Sequence, residues 1–231
     1  MKSIGLIGGL GPESTIDYYR SFIRTHGRQH PDADPPSIII NSVNMKHVLN
    51  CINGKRLEDL AEFLLLELEK LAAAGADFAL ITANTPHIVF DDLEPRSPIP
   101  LISIVQATAD RARQCGFTRV GLLGTRFTMQ ANFYPDVFRK DQMEILVPTE
   151  NDQAYLHEKY FSELVNGVFL DETRQRLSEM IAQMRDRVGI QAAILGGTEL
   201  PLILRGGEAA GIPLLDTTQI HVEAALACLG Q

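Results

Sequence analysis

The sequence predicts an α/β protein with parallel sheets, organised as two similar lobes. Short, continuous apolar runs bounded by glycine or polar residues are typical of strands that are buried on both faces. These runs alternate with longer segments of helical periodicity, and such alternation favours parallel sheets covered by helices. A third observation, an internal repeat, divides the chain into two halves.

Each predicted element has its own pattern. The apolar runs that predict strands are residues 3–7, 37–41, 78–82, 101–104, 120–123, 144–147, 192–195 and 213–215. The clearest helical patterns are residues 56–74, 104–115, 177–187 and 218–229. Since most predicted strands are short and followed by a polar turn, we expect the functional groups on the turns after the strands.

The internal repeat begins with Gly-Leu-Ile-Gly at residues 5–8, which returns as Gly-Leu-Leu-Gly at residues 121–124. Further along each half, residues 81–87 and 194–200 form a second matched pair, and both follow the pattern of strand, tight turn and helix start. We therefore expect a gene duplication that gives two flavodoxin-like lobes related by a pseudo-two-fold axis. In such folds ligands bind beyond the carboxyl ends of the strands, which predicts an interlobe cleft that holds both turns.

Proline and glycine mark the expected lobe boundaries. Residues 94–100, Glu-Pro-Arg-Ser-Pro-Ile-Pro, stop the preceding helix and stiffen the connection. A return crossing is expected near Gly206 and Gly207. The predicted first lobe is therefore residues 1–98 plus 208–231, and the second lobe is residues 99–207.

Composition excludes several classes of function. With 231 residues, 45% of them hydrophobic, the chain can bury a real core. A net charge of −8 without a basic cluster argues against a nucleic-acid partner. No apolar run approaches the roughly 20 residues needed to span a bilayer, and no secretion signal is visible. The three cysteines lack metal-ligand or disulfide spacing, so we expect no metal site and a reducing cytoplasm.

The glycine-rich segment at residues 8–15, Gly-Gly-Leu-Gly-Pro-Glu-Ser-Thr, invites a dinucleotide-binding interpretation. Ser14 stands where the third glycine is required, and no acidic residue ends the next strand, so that interpretation is disfavoured. Two alternatives stay open. Backbone N–H groups with the Ser14 and Thr15 hydroxyls hold a small carboxylate, or Ser14 or Thr15 simply caps a helix.

The two matched turns carry polar residues suited to a ligand. The first turn is Ala83-Asn84-Thr85-Pro86-His87, and the second contains Gly197-Thr198-Glu199. Asn84 and Thr85 either bind a ligand or cap a helix, and Pro86 fits the first helical turn. His87 either donates to a carboxylate or is a satisfied core histidine. Glu199 is expected to pair with a buried donor.

Four motifs together make the resemblance specific: residues 8–15, Asn84–His87, Gly196–Glu199 and residues 215–221, Leu-Asp-Thr-Thr-Gln-Ile-His. Over nearly its whole length the sequence resembles the aspartate/glutamate racemase family. The resemblance implies a racemase that uses no pyridoxal phosphate or other cofactor. One thiolate removes the α-proton of the amino acid, and an opposing thiol returns a proton to the other face.

The same resemblance places those two thiols at positions 83 and 197, where this sequence has Ala83 and Gly197. Neither residue can accept or donate a proton. Either another group replaces the base, or the protein binds without turnover, or the sequence is an engineered inactive form. A non-catalytic amino-acid-binding or regulatory protein is thus one alternative, and a lyase or isomerase that uses His87 or Glu199 is another.

The expected partners are a small amino acid or dicarboxylate and a second copy of the chain in a homodimer. Restoring thiols at both 83 and 197 is predicted to create racemase activity, with position 197 the harder one because its glycine can require a backbone angle that a Cβ would strain. The residues expected to bind the ligand are Gly9, Thr15, Asn84, Thr85, Thr125 and Thr198.

Overall fold

The computed structural model describes residues 2–230, and the chain divides into two compact units. The first unit contains the residues up to Ile104 together with those from His221 onward. The second unit is Val105–Ile220. The chain passes between the units at the start of one helix and inside another, and each unit has its own sheet and core.

The first unit has a four-stranded parallel sheet in the order β2-β1-β3-β4. Its strands are β1 (Ser3–Gly8), β2 (Ser37–Ser42), β3 (Phe78–Ile81) and β4 (Leu101–Ile102). Its helices are α1 (Pro12–Gln29), α2 (Met45–Asn53), α3 (Leu57–Ala73) and α4 (Phe90–Leu93), with 3₁₀ turns at Thr85–Val89 and Glu94–Arg96. Ile4 in β1 lies between Ile38 and Phe78 of the neighbouring strands, which explains why this strand is continuously apolar.

The second unit has a five-stranded sheet in the order β6-β5-β7-β9-β8. Its strands are β5 (Arg119–Gly124), β6 (Glu144–Leu146), β7 (Ala192–Gly196), β8 (Glu208–Ala209) and β9 (Ile212–Asp216). Its helices are α5 (Ile104–Gln114), α6 (Arg126–Gln130), α7 (Phe133–Lys140), α8 (Glu150–Ser162), α9 (Asp171–Val188), α10 (Leu200–Ile203) and the start of α11 (Thr217–Leu229), with a 3₁₀ turn at Leu164–Asn166.

The predicted fold class is confirmed. Each sheet has four parallel strands in the same order, β2-β1-β3-β4 in the first unit and β6-β5-β7-β9 in the second. The first strand of each unit lies between the second and the third. That order belongs to the flavodoxin-like group of doubly wound folds. Every predicted strand is present. The structure adds β8, a short antiparallel strand at the edge of its sheet, and several helices outside the four clearest predicted patterns, among them α2 and α8.

The predicted lobe boundaries need correction. The sequence placed residues 208–231 in the first lobe, but β9 pairs in parallel with β7 and so extends the second sheet. The return to the first unit comes at His221, inside α11, and not near Gly206 and Gly207. Likewise the first unit continues past residue 98 through β4, which pairs with β3. Both boundaries depend on which strands pair, and the local pattern of proline and glycine residues carries no information about strand pairing.

Each unit packs its sheet against helices through a separate hydrophobic core. In the first unit, Ile4 and Leu80 of the sheet pack with Tyr18 and Phe22 of α1 and with Val222 of α11. The core of the second unit joins β5 and β7 to helices α8 and α9, and its members include Leu123, Leu195, Leu156, Tyr160, Leu177 and Ile181. The amphipathic helices thus cover the strands as their spacing predicts.

Within residues 2–230, no helix has both the length and the apolar character needed to cross a membrane.

Candidate functional site

The first turn follows β3 and is fixed by hydrogen bonds from buried hydroxyl groups. The Thr82 hydroxyl donates to the Ile7 carbonyl at 2.9 Å, which holds the ends of β3 and β1 together. The Ser14 hydroxyl donates to the Thr82 carbonyl at 2.9 Å and so ties the start of α1 to the same point. Ala83 and Asn84, which come next, are buried. The position of the turn is therefore set by strand ends and not by the turn residues themselves.

His87 is held by the backbone on both sides of its ring. Its Nδ1 lies 3.0 Å from the Ala83 carbonyl oxygen, and the Ile104 N–H donates to its Nε2 at 3.3 Å. A carbonyl only accepts, so the ring proton is on Nδ1. Burial lowers the pKa of His87 to about 4, although hydrogen bonds to Ala83 and Asn84 oppose the shift. This neutral histidine has neither nitrogen available for proton transfer, as expected of a satisfied core residue.

His221, from the fourth sequence motif, is a second neutral histidine in the same unit. The Tyr18 hydroxyl donates to its Nδ1 at 2.8 Å, and its Nε2 donates to the Ile102 carbonyl at 2.7 Å. Burial, and then the nearby His87, lower the pKa of His221 to about 3. The ring centroids of the two histidines are 6.2 Å apart. The pair links the first turn to α1, α11 and β4 through hydrogen bonds that require uncharged rings.

The histidine pair predicts a loss of stability in acid. Both pKa values fall from 6.5 on folding, to about 4 for His87 and about 3 for His221, so the unfolded chain binds more protons below about pH 6.5. The stabilisation is complete above that pH and is lost as the pH falls toward 4. We expect each histidine to contribute about 2 kcal/mol to the loss between pH 7.5 and pH 5.

Urea unfolding at several pH values measures this loss. His87→Gln and His221→Gln remove one titrating ring each, so each variant should flatten the pH dependence, whatever its stability at pH 7.5. An unchanged slope in both variants would show that other groups cause the acid loss.

The glycine-rich segment closes on itself. The Gly9 N–H donates to the Thr15 hydroxyl at 2.8 Å, and that hydroxyl donates to the Gly11 carbonyl at 3.3 Å. Gly9 has a φ of 77°, and a Cβ there would meet the Val43 carbonyl. The expectation that Ser14 or Thr15 caps the helix is wrong, because both lie inside α1, which begins at Pro12 and has no side-chain capping bond. The Gly9 N–H is engaged within its own loop.

The second turn follows β7 in the second unit and carries buried polar side chains. The Thr198 hydroxyl donates to Oε2 of Glu199 at 3.2 Å, and both residues are buried. Thr125, at the end of β5, caps α6 by accepting from the Thr128 N–H at 3.2 Å. Glu199, predicted to pair with a buried donor, accepts a hydrogen bond from the hydroxyl of Tyr160 in α8.

Tyr160, which lies in α8 and contacts this turn, was not identified from the sequence. Burial raises its pKa well above 10, and the charge of Glu199 raises it further. Hydrogen bonding with the Thr198 side chain and the Glu199 backbone acts in the opposite direction and lowers the pKa. The phenol therefore keeps its proton at neutral pH and shares it with the Glu199 carboxylate.

Gly197 lies directly against this tyrosine. A Cβ added at Gly197 would lie 2.9 Å from the Tyr160 hydroxyl oxygen and 3.0 Å from its Cζ, and closer still to Cε2. The expected backbone reason for glycine is wrong, because Gly197 is not among the residues with positive φ. The obstacle to a side chain at 197 is an aromatic ring.

The structure thus divides the predicted site residues into two groups. Ala83, Asn84, Thr85 and His87 lie at the end of β3 in the first unit, while Gly197, Thr198 and Glu199 lie at the end of β7 in the second. Asn84 makes no side-chain capping bond to the helix that follows it. Among residues 2–230, no cluster of histidine, cysteine or acidic side chains is arranged to hold a metal ion.

The sequence does contain a signal for helix α8, which carries Tyr160. The helix begins at Glu150, after Thr149, whose hydroxyl accepts from the Asp152 N–H at 3.3 Å and donates to its carboxylate at 2.7 Å. A threonine followed three residues later by an acidic residue is typical of a helix start. That pattern predicts the helix, but only the packing of α8 on the second sheet brings Tyr160 to Gly197.

Comparisons with known proteins agree with this fold. A protein-family model described as Asp/Glu/Hydantoin racemase matches residues 7–225. The fold is similar to a candidate Asp/Glu racemase from Yersinia pestis, with 33% identity, a TM-score of 0.89 and 100% of both chains covered. An aspartate racemase homologue from Pyrococcus horikoshii OT3 also has 33% identity over the whole of both chains, with a TM-score of 0.86. The broad specificity amino-acid racemase RacX of Bacillus subtilis is 24% identical over 155 residues, which are 65% of this chain and 66% of RacX.

Proposed function

Because the chain belongs to the Asp/Glu/Hydantoin racemase family, we propose that it binds a small amino acid or dicarboxylate without interconverting the two enantiomers. The observation that carries this proposal is the pair of residues at the positions that the resemblance assigns to thiols. Ala83 has only a methyl group, and Gly197 has no side chain and no room for one. Two-base racemisation needs a proton-transfer group on each face of the α-carbon.

Polar groups at the ends of strands support the binding half of the proposal. Asn84 and the half-buried Thr85 follow β3, where parallel sheets place their ligands. Thr125 and Thr198 follow β5 and β7 in the second unit, where the Thr125 hydroxyl caps α6 and the Thr198 hydroxyl donates to Glu199. Gly9 and Thr15 contribute by shaping the loop at the start of α1, since their own polar groups are engaged with each other.

The alternative of a lyase or isomerase acting through His87 or Glu199 has less support. Both ring nitrogens of His87 are bonded to the backbone, and its low pKa keeps the ring uncharged. Oε2 of Glu199 accepts hydrogen bonds from the hydroxyls of both Tyr160 and Thr198, so that oxygen is already engaged within the protein.

Thermal unfolding with added ligands tests the binding. We expect millimolar L-aspartate, L-glutamate or citrate to raise the Tm, because a ligand at 100 times its Kd stabilises the native state by about 2.7 kcal/mol. For a chain of this length that corresponds to a rise of roughly 5 °C or more.

Thr85→Val should reduce this rise, because it removes a hydroxyl at the end of β3. Thr118→Val is the matched control, since Thr118 is exposed and precedes β5 at the opposite end of its strand. An unchanged Tm with every carboxylate tested would count against a binding function.

Assembly and location remain predictions within this proposal. A homodimer is expected for a small protein of this class, and light scattering in solution would test it. Cys51, Cys115 and Cys228 are free thiols, and Cys115 is exposed, which fits the prediction of a reducing cytoplasm.

A further inference from the structure

We propose that Tyr160 is a built-in occupant of the second turn: its ring takes the space of a side chain at 197, and its hydroxyl takes the hydrogen-bonding groups of Thr198 and Glu199. This inference deepens the proposed function, and it depends on that function only for the class of ligand that Tyr160 keeps out. All of the residues involved lie within the second unit.

The first argument is steric. Tyr160 is buried in the core of its unit, together with Leu156 and Leu164 of the same region. The ring therefore cannot swing toward solvent without opening the core. Three of its atoms, Cε2, Cζ and the hydroxyl oxygen, lie within 3.0 Å of where a Cβ of residue 197 would stand. Glycine at 197 and tyrosine at 160 are thus a matched pair.

The second argument concerns hydrogen bonds. A tyrosine hydroxyl has one proton to donate and two lone pairs to accept with. Here the proton goes to Oε2 of the Glu199 carboxylate, the same oxygen that accepts from the Thr198 hydroxyl. The Tyr160 proton, the Thr198 proton and this carboxylate oxygen are therefore engaged with one another, and a ligand at the turn would have to displace Tyr160 to reach them.

The third argument identifies what those groups suit. With Tyr160 shortened, the turn would offer a carboxylate, from Glu199, beside the Thr198 hydroxyl and the Glu199 N–H. A zwitterionic amino acid matches this set, because its ammonium group can meet the carboxylate and its own carboxylate can accept from the two donors. A dicarboxylate without an ammonium group has nothing to offer Glu199 and would be repelled by it.

The steric part is tested by placing Gly197→Ala in three backgrounds: native, Tyr160→Phe and Tyr160→Leu. Phenylalanine keeps Cε2 and Cζ, whereas leucine removes every ring atom that approaches position 197. In the native and phenylalanine backgrounds the new methyl should lower the Tm by about 5 °C or more, as overpacking does. In the leucine background it should have little effect.

The outcomes are decisive even if a variant does not fold. Gly197→Ala that unfolds the native chain but is tolerated with Tyr160→Leu supports the proposal. An equal fall in Tm in all three backgrounds overturns it, because the obstacle at 197 would then not be Tyr160. Unfolding of Gly197→Ala with Tyr160→Leu, when Tyr160→Leu alone folds, overturns it in the same way.

The hydrogen-bonding part is tested with L-aspartate and succinate as probes, which differ by one ammonium group. Isothermal titration should give Tyr160→Leu an about tenfold lower Kd for L-aspartate than the native chain, from regained charged hydrogen bonds, and no gain for succinate. An equal Kd for L-aspartate in both proteins, or an equal gain for both probes, overturns this part.

The two experiments also separate this proposal from the proposed function. Suppose that the native chain binds no carboxylate, but that Gly197→Ala no longer lowers the Tm once Tyr160 is leucine. The proposed binding function is then wrong, while the proposal that Tyr160 occupies the space at 197 is supported. Suppose instead that the native chain binds L-aspartate, but that Gly197→Ala lowers the Tm equally in every background. The proposed binding function is then supported, and the proposal about Tyr160 is wrong.

Discussion

The native chain should not measurably racemise aspartate or glutamate. A positioned acid or base contributes typically about 10²- to 10⁴-fold to a proton-transfer step, and positions 83 and 197 supply neither. His87 does not compensate, because its two nitrogens are bonded to the backbone. Chiral chromatography after incubation with each enantiomer in heavy water measures both inversion and α-deuterium uptake.

The proper control is the same protein sample shown to be folded and to respond to L-aspartate in thermal unfolding. Without that response, missing activity would carry no information about the proton-transfer groups. Turnover at rates typical of enzymes would mean that other residues are the bases and that the positions taken from the resemblance are wrong.

Restoring two-thiol chemistry should need three substitutions and not two. The sequence suggested that Ala83→Cys with Gly197→Cys would suffice, but a Cβ at 197 meets the ring of Tyr160. We expect the triple variant with Tyr160→Leu to exchange the α-proton at least about 10²-fold faster than the double variant, because only there can the second sulfur take its place. A thiolate beside backbone donors also has a lowered pKa, which makes it a usable base near neutral pH.

Single-thiol variants give the matched comparison. Ala83→Cys alone should at most wash deuterium into one enantiomer without inverting it, since removal and return of the proton across faces need both groups. A double variant as active as the triple would show that Tyr160 is no obstacle. A folded triple variant that binds an amino acid but neither exchanges nor inverts it would show that positions 83 and 197 do not act on one α-carbon.

The sequence predicted the fold well where local pattern and packing coincide. The strands from residue 3 and residue 120 are continuous apolar runs because each is central in its sheet and buried on both faces. The pattern failed for β8, whose two residues pair only with the edge strand β9. It also failed for the lobe boundary, because Gly206 and Gly207 look like a linker but lie between elements of the second unit.

The candidate site was predicted in part. The spacing of the two turns identified Ala83–His87 and Gly197–Glu199, and the structure places them after β3 and β7. The expected roles of His87 and Thr15 were uncertain from sequence because a histidine or threonine in a turn has both structural and functional uses. In the structure both have structural roles. His87 accepts a hydrogen bond from the N–H of Ile104, 17 residues further along the chain, and Thr15 accepts one from the N–H of Gly9 in its own loop.

The sequence by itself determined the fold class, the family and the absence of thiols at positions 83 and 197, because strand periodicity, motif residues and side-chain identity are written locally. Only the tertiary structure decided what stands in place of a side chain at 197. Tyr160 is 37 positions earlier in the chain, on a different element, and no local pattern connects it to Gly197. The contact exists because α8 packs on the sheet that contains β7, and the shape of that packing leaves room for either the ring or a Cβ, but not for both.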